Sequence, residues 1–167
     1  MSYHREAQYM ANMIEIVKAD PAKKEDYKRI FDNSQLYNHY FKKTDLLDKC
    51  LSDALKAGRA FVAVDRNGEA VGYMAMSTSD PMVDGLPCLT LLGVKDTMRG
   101  RGIGQMLLGF YIEVMSQLGF KECALVVNDW NPRARKLYDS LGFKLRRSYE
   151  DQIIGGWMNH ILVKKLR

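Results

Sequence analysis

Two stretches of this chain carry residue types whose spacing can do chemistry. The first is Leu91-Leu92-Gly93-Val94-Lys95-Asp96-Thr97-Met98-Arg99-Gly100-Arg101-Gly102-Ile103-Gly104-Gln105. An apolar strand stops, an Arg/Gly-rich loop follows, and an amphipathic helix begins at once. Such a turn aims several backbone N–H groups, and the positive end of a helix dipole, at one place, which suits an anion and above all a phosphate. Glycines at alternate positions remove Cβ atoms where a ligand must approach the backbone. Arg99 and Arg101 add charge and forked donors matched to phosphate. Spacing excludes two better-known phosphate loops. The dinucleotide pattern Gly-x-Gly-x-x-Gly fails because Gly102 and Gly104 lead to Leu107, and Gly100 and Gly102 lead to Gln105. The triphosphate pattern Gly-x-x-x-x-Gly-Lys-Ser/Thr fails because Gly104 and Gly109 are followed by Phe110. The alternative for the same residues is a tight strand-to-helix turn with solvated arginines.

The second stretch is Asn131-Pro132-Arg133-Ala134-Arg135-Lys136-Leu137-Tyr138-Asp139-Ser140-Leu141-Gly142-Phe143, after an apolar strand over 123–127. Asn131 is a good N-cap, Pro132 a good first helical residue and Gly142 a helix stop. Asn131, Ala134 or Arg135, and Tyr138 fall at helical spacing and share one face. Leu137 and Leu141 form an adjacent face able to seal against a sheet. A small Ala134 between polar side chains leaves room for a thin ligand along the helix. Taken alone, Tyr138 also fits a core-edge tyrosine with its hydroxyl in water.

The elements that must position these loops follow from periodicity and punctuation. Alternation over 14–18 predicts a strand, and Asp20-Pro21 predicts the cap and first turn of a helix through Tyr27, Ile30 and Phe31. An aromatic connection over 36–41 precedes a second helix over 45–56, stopped by Gly58. Strands over 61–64 and 71–76 join through Asn67-Gly68, a hairpin signal. A strand over 89–94 feeds the Arg/Gly loop; then come a helix over 104–118, a buried strand over 122–127, a helix over 132–141, and closing strands over 143–149 and 158–163. The order is β-α-α-β-β-β-α-β-α-β-β. That is α/β of the α+β type: a mixed, mostly antiparallel sheet of six to seven strands with helices on both faces.

Composition bounds the rest. A chain of 167 residues is expected to form a single domain over 1–167, with 1–12 as an N-terminal extension. At 47% apolar and 27% charged it is ordinary soluble globular material. It has no long uninterrupted apolar run and a polar start, so no membrane partner and a cytoplasmic location are expected. Cys50, Cys88 and Cys123 are odd in number and widely spaced, neither a disulfide framework nor a metal pattern, so no metal is expected. The net charge of +5 favours anionic ligands, but the basic residues are scattered, which argues against nucleic acid.

Together the two stretches and the element order resemble the GNAT superfamily of acyl-CoA-dependent N-acetyltransferases. The resemblance covers nearly the whole chain beyond its first dozen residues, and both motifs stand in the family's order, separated by one helix and one strand. It implies acetyl-CoA as acyl donor and a primary amine as acceptor (a small amine, an amino acid or a peptide N-terminus), joined by direct attack through a tetrahedral intermediate. It implies that backbone amides of Arg99, Gly100, Arg101, Gly102, Ile103, Gly104 and Gln105 hold the CoA pyrophosphate. Leu92, Gly93 and Val94 would pair with the pantetheine arm as with another strand, the Val94 N–H polarising the thioester carbonyl. Asn131, Ala134 and Arg135 would line the other wall, and Tyr138 would protonate the departing thiolate as general acid. By analogy with the family, the resemblance also implies a monomer or a homodimer, the dimer forming through the closing strands.

One feature departs from the family. Many relatives carry a glutamate on the strand before the Gly-rich loop, whereas here it reads Pro87-Cys88-Leu89-Thr90-Leu91. The base is then an ordered-water relay, an acid from elsewhere (Asp80, Asp84, Glu150), a histidine (His39, His160), or unnecessary for an amine of low pKa. Cys88 reads as a small apolar strand residue, since direct transfer needs no covalent intermediate. In the family the acceptor site is built by the loop between the first two helices and the turn joining the last two strands, here 36–43 and 151–156. Tyr37, Tyr40 and Phe41 are the candidate wall for an apolar or cationic acceptor; their other reading is a cap on the core. The missing glutamate keeps open a second function, a non-catalytic acyl-CoA-binding sensor or interaction module on the same fold.

Overall fold

The computed structural model describes residues 13–34, 37–38 and 41–167; the 1–12 extension and the candidates His39 and Tyr40 lie outside them. The strands are β1 (Glu15–Lys18), β2 (Ala60–Val64), β3 (Ala70–Ser77), β4 (Cys88–Val94), β5 (Glu122–Asn128), β6 (Lys144–Glu150) and β7 (Met158–Lys165). The α-helices are α1 (Lys24–Ile30), α2 (Leu46–Lys56), α3 (Ile103–Gln117) and α4 (Pro132–Ser140). Their succession is the one read from the sequence. The strands form one seven-stranded sheet in the order β1-β2-β3-β4-β5-β7-β6. Pairing is antiparallel for β1–β2, β2–β3, β5–β7 and β6–β7, and parallel for β4–β5 through Cys88↔Ala124 and Leu89↔Leu125.

Local chemistry sets the element ends. Asp20 caps a single tight turn, Pro21–Lys23, its Oδ1 accepting the Ala22 N–H at 2.9 Å, and the α-helix proper begins only at Lys24. The β2–β3 connection is longer than a two-residue hairpin. Asp65 Oδ1 accepts the N–H groups of both Asn67 and Glu69 at 2.9 Å, and only Gly68 of the Asn-Gly pair has a positive φ. A mirror-image turn would need both residues there.

The chain falls into two compact units, one comprising residues up to Ala75 with Leu91–Gly109, the other Met76–Thr90 with Phe110–Arg167. In the first, α1 and α2 bury Tyr27, Ile30, Phe31 and Leu51 against Val62, Tyr73 and Leu91. Such side chains each contribute about 1.5–3 kcal/mol by leaving water. Phe31 meets Tyr73 edge-on at 6.0 Å and Phe41 at 6.4 Å between ring centroids. A Cβ at Gly93 would stand 2.4 Å from Phe31 Cε1, so the bare backbone of β4 at this point is what lets the Phe31 ring seat. In the second unit Val83, Cys88, Ala124, Ile161 and Val163 form the core, with Leu86, Val126 and Tyr149 packed against it. Tyr111 of α3 donates its hydroxyl to the Ala124 carbonyl at 2.9 Å.

Candidate active site

The Arg/Gly loop lies wholly in the first unit. β4 ends at Val94, the Lys95 N–H is held by the Val71 carbonyl at 2.8 Å, and a single turn over Asp96–Met98 leads to Arg99. Arg99 is tied back to its own strand: Nε donates to the Val94 carbonyl at 3.4 Å and Nη1 to Asp96 Oδ1 at 3.1 Å. Arg101 is exposed. Gly100 and Gly102 have φ of +77° and +81°, with no atom within 4 Å of where a Cβ would sit. Backbone conformation, not crowding, therefore requires glycine, since an L-residue there costs roughly 1–2 kcal/mol. Positive φ at both residues flanking Arg101 is the backbone freedom that anion-binding turns call on. α3 follows directly, its first ladder bond running from Met106 N to Gly102 O at 3.0 Å. The amides of Ile103, Gly104 and Gln105 thus occupy the first turn, where a helix leaves N–H groups without intrahelical acceptors.

The Asn131 motif lies in the second unit. Asn131 Oδ1 accepts the Ala134 N–H at 3.2 Å, and Pro132 opens α4. Ala134 and Arg135 are half-buried, and Arg135 pairs with Asp139 one turn on at 3.2 Å. Tyr138 retains 8% of its surface and packs against Phe143, ring centroids 6.3 Å apart. Leu137 and Leu141, the expected sealing face, both stay half-buried, and Tyr138 is the buried residue of the helix instead. Burial, with Cys88 acting in the same direction, pushes the phenol up to about 12. Cys88 itself is buried, its thiol raised mainly by desolvation, as befits a packing residue.

The candidate bases among the described residues are each engaged. Asp80 accepts the Met82 N–H at 2.9 Å, Asp84 pairs with Arg147 at 3.1 Å, and Glu150 accepts the Gly156 N–H at 3.1 Å. His160 lies between Ser148 and Asp129. Of the candidate acceptor wall, Phe41 is buried in the core of the first unit and Tyr37 packs against that core.

Sequence reading missed the interior of the turn after β6. Asp151 and Asn159 are buried. Asp151 Oδ1 accepts the N–H groups of Ile153 and Ile154, both at 2.8 Å, and Oδ2 accepts from Asn159 Nδ2 at 3.0 Å. Asn159 Oδ1 in turn accepts from Asn128. Burial opposes the Asp151 anion, but these donors outweigh it and hold the carboxyl below its usual range. The signal available was an aspartate two and three residues before amides it could cap. Trp130 and Trp157 meet nearby, ring centroids 5.8 Å apart. Among the described residues no group of three or more His, Cys, Asp or Glu is arranged to hold a metal, and no helix is long and apolar enough to cross a membrane.

Comparison with known proteins identifies the family and the fold. The family model described as Acetyltransferase (GNAT) family matches residues 22–143. Solved structures share the fold. A GNAT-family acetyltransferase of Desulfovibrio desulfuricans superposes with TM-score 0.77 at 14% identity, covering 92% of this chain and 99% of its own. A GCN5-related N-acetyltransferase of Kribbella flavida gives 0.74 at 22% identity, covering 93% and 99%. The NatC complex bound to Gag peptide and CoA gives 0.66 at 21% identity, covering 92% and 99%. No curated protein matches the sequence. The chain belongs to the GNAT acetyltransferase family, whose chemistry is acetyl transfer.

Proposed function

We propose that this chain is an acetyl-CoA-dependent N-acetyltransferase acting on an α-amine, that of an amino acid or a peptide N-terminus. The observation that carries the donor is the glycine-rich loop, with positive φ at Gly100 and Gly102, running straight into the first turn of α3. It offers backbone donors and helix-dipole charge to a pyrophosphate. In this reading Leu92, Gly93 and Val94 receive the pantetheine arm, and Asn131, Ala134, Arg135 and Tyr138 are the residues that the family resemblance assigns to the same ligand. The donor supplies an acetyl group already activated as a thioester. Val94 contributes a backbone N–H to the carbonyl oxygen as charge develops there. Tyr138 carries its proton throughout the neutral range. A phenol near 12 holds that proton more tightly than a thiol at about 8.5. Tyr138 therefore acts by sharing the proton with the departing sulfur in a hydrogen bond as the C–S bond breaks.

The acceptor follows from what β4 lacks. Cys88–Val94 contains no acid, so no carboxylate on that strand takes a proton from the amine. An alkylammonium at about 10.4 is almost wholly protonated near neutrality, whereas the α-amine of a peptide N-terminus at about 7.7–8.0 is already partly free, and that of a free amino acid, beside its carboxylate, lies between the two. An α-amine needs little help and can lose its proton to water. The test is thiol release from acetyl-CoA with a panel of amino acids, peptides with free N-termini and polyamines, followed by mass spectrometry of the products. Release with α-amines ahead of polyamines is expected. If acetyl-CoA raises the melting temperature yet no acceptor releases thiol, the chain is an acyl-CoA-binding module instead.

A further inference from the structure

Three side chains from separate elements of the second unit meet outside the residues assigned above. His160 on β7 is paired with Ser148 on β6 and, on its other side, with Val127 on β5. Asp129, just past the end of β5, is thereby its diagonal neighbour. Ser148 Oγ lies 2.7 Å from His160 Nδ1, and Asp129 Oδ1 is hydrogen-bonded to Nε2. The nearby cations are engaged elsewhere, Arg146 with Glu122 and Arg147 with Asp84, which leaves Asp129 to the imidazole.

The order of protons follows from the partners. The bond with His160 holds the Asp129 carboxyl below its usual range, so it is ionised near neutrality and only accepts. Nε2 then bears the ring hydrogen, Nδ1 presents a lone pair, and the short contact to Ser148 is its hydroxyl donating to Nδ1. Ser148 is exposed, while the imidazole side chain keeps only 18% of its surface. A reachable hydroxyl thus stands in front of a screened base whose tautomer is fixed by a carboxylate. These are the roles of an acyl-accepting serine, its base and its orienting acid, with the ring turned so that Nδ1 serves the hydroxyl.

We propose that Ser148 is an activated nucleophile that takes an acyl group from an activated ester or thioester. Ser148 Oγ bonds to the carbonyl carbon as its proton passes to His160 Nδ1, and Asp129 stabilises the imidazolium. The bond from the carbonyl carbon to the leaving oxygen or sulfur then breaks, and the leaving group departs with the proton from Nδ1. The products are O-acyl-Ser148 and a free alcohol or thiol, with no change of oxidation state. The proposal does not rest on the acetyltransferase reading, since neither probe below contains CoA.

The full chain is treated with p-nitrophenyl acetate and, separately, with a fluorophosphonate, and the labelled residue is mapped by peptide mass spectrometry. Label is expected on Ser148 and is expected to vanish in Ser148→Ala. The labelling rate should fall roughly 10²-fold in His160→Gln, which keeps polar contacts but is no base. It should fall tenfold or more in Asp129→Asn, which loses the fixed tautomer. Because Asp129 is exposed, that variant gives a reading even if His160→Gln folds poorly. Absence of label on Ser148 in the natural chain, or a rate unmoved by Asp129→Asn, overturns the proposal.

Discussion

Burying Tyr138 keeps the phenol proton in place, which suits a group meant to share a hydrogen bond with a developing thiolate. Tyr138→Phe removes only that hydroxyl and leaves the ring against Phe143. Turnover should drop roughly 10²–10³-fold with acetyl-CoA affinity nearly unchanged. Steady-state kinetics with near-normal turnover would take Tyr138 out of the chemistry. The helical spacing of Asn131, Ala134 and Tyr138 made this side chain legible in sequence, and the Asn131 cap appears as read. The Asp151–Asn159–Asn128 chain was not legible. Its members come from three elements, and only the register of β5, β7 and β6 brings them together. The same holds for Ser148, His160 and Asp129, ordinary polar residues until cross-strand pairing aligns them.

Between elements, Gly93 has a second duty beside any contact with a ligand. Its absent side chain is the seat of Phe31, which lets α1 press close to β4. Gly93→Ala should destabilise the fold by about 1–3 kcal/mol through overpacking. Adding Phe31→Leu should recover part of that loss, because the ring edge causes the clash. Chemical denaturation of both variants checks this, and equal stability of Gly93→Ala and the natural chain would contradict it. Element order came through from sequence because the apolar periods are strong and Gly58, Pro132 and Gly142 punctuate them. Most ends shift by a residue or two; the start of α1 shifts by three, because Asp20 caps the separate tight turn Pro21–Lys23 before the helix begins. The Asn67-Gly68 turn lies where the dipeptide signals it, but Asp65 makes it longer by capping two amides.

For the molecule as a whole, the buried titratable groups set a pH window of stability. Tyr27, Tyr73, Tyr111, Tyr138 and Tyr149 are all raised by burial, and Cys123 is pushed up to about 11 by the same cause. Above about pH 9–10 the unfolded chain releases these protons while the native one keeps them, so the unfolded state binds fewer and stability falls as pH rises. At the other end Asp48, Asp129 and Asp151 are lowered, Asp48 and Asp129 by hydrogen bonds from lysines and His160. Their contribution is present above the ordinary carboxylate value of about 4 and is lost as pH falls below it. Denaturation midpoints should therefore be highest between about pH 5 and 8 and decline steeply above about 10. A midpoint that holds steady across the alkaline range would count against buried, protonated tyrosines.

The strand order β5-β7-β6 carries a consequence for how the chain is made. β7 is synthesised after both of the strands it joins, so a ribosome releases β5 and β6 before the segment Met158–Lys165 that bonds to each of them. Until those residues emerge, two strand edges stand without their mate in the nascent chain. The residues that close the second unit, His160 among them, are thus translated after both of their partner strands, and a chain cut short before β7 would lose both ladders at once.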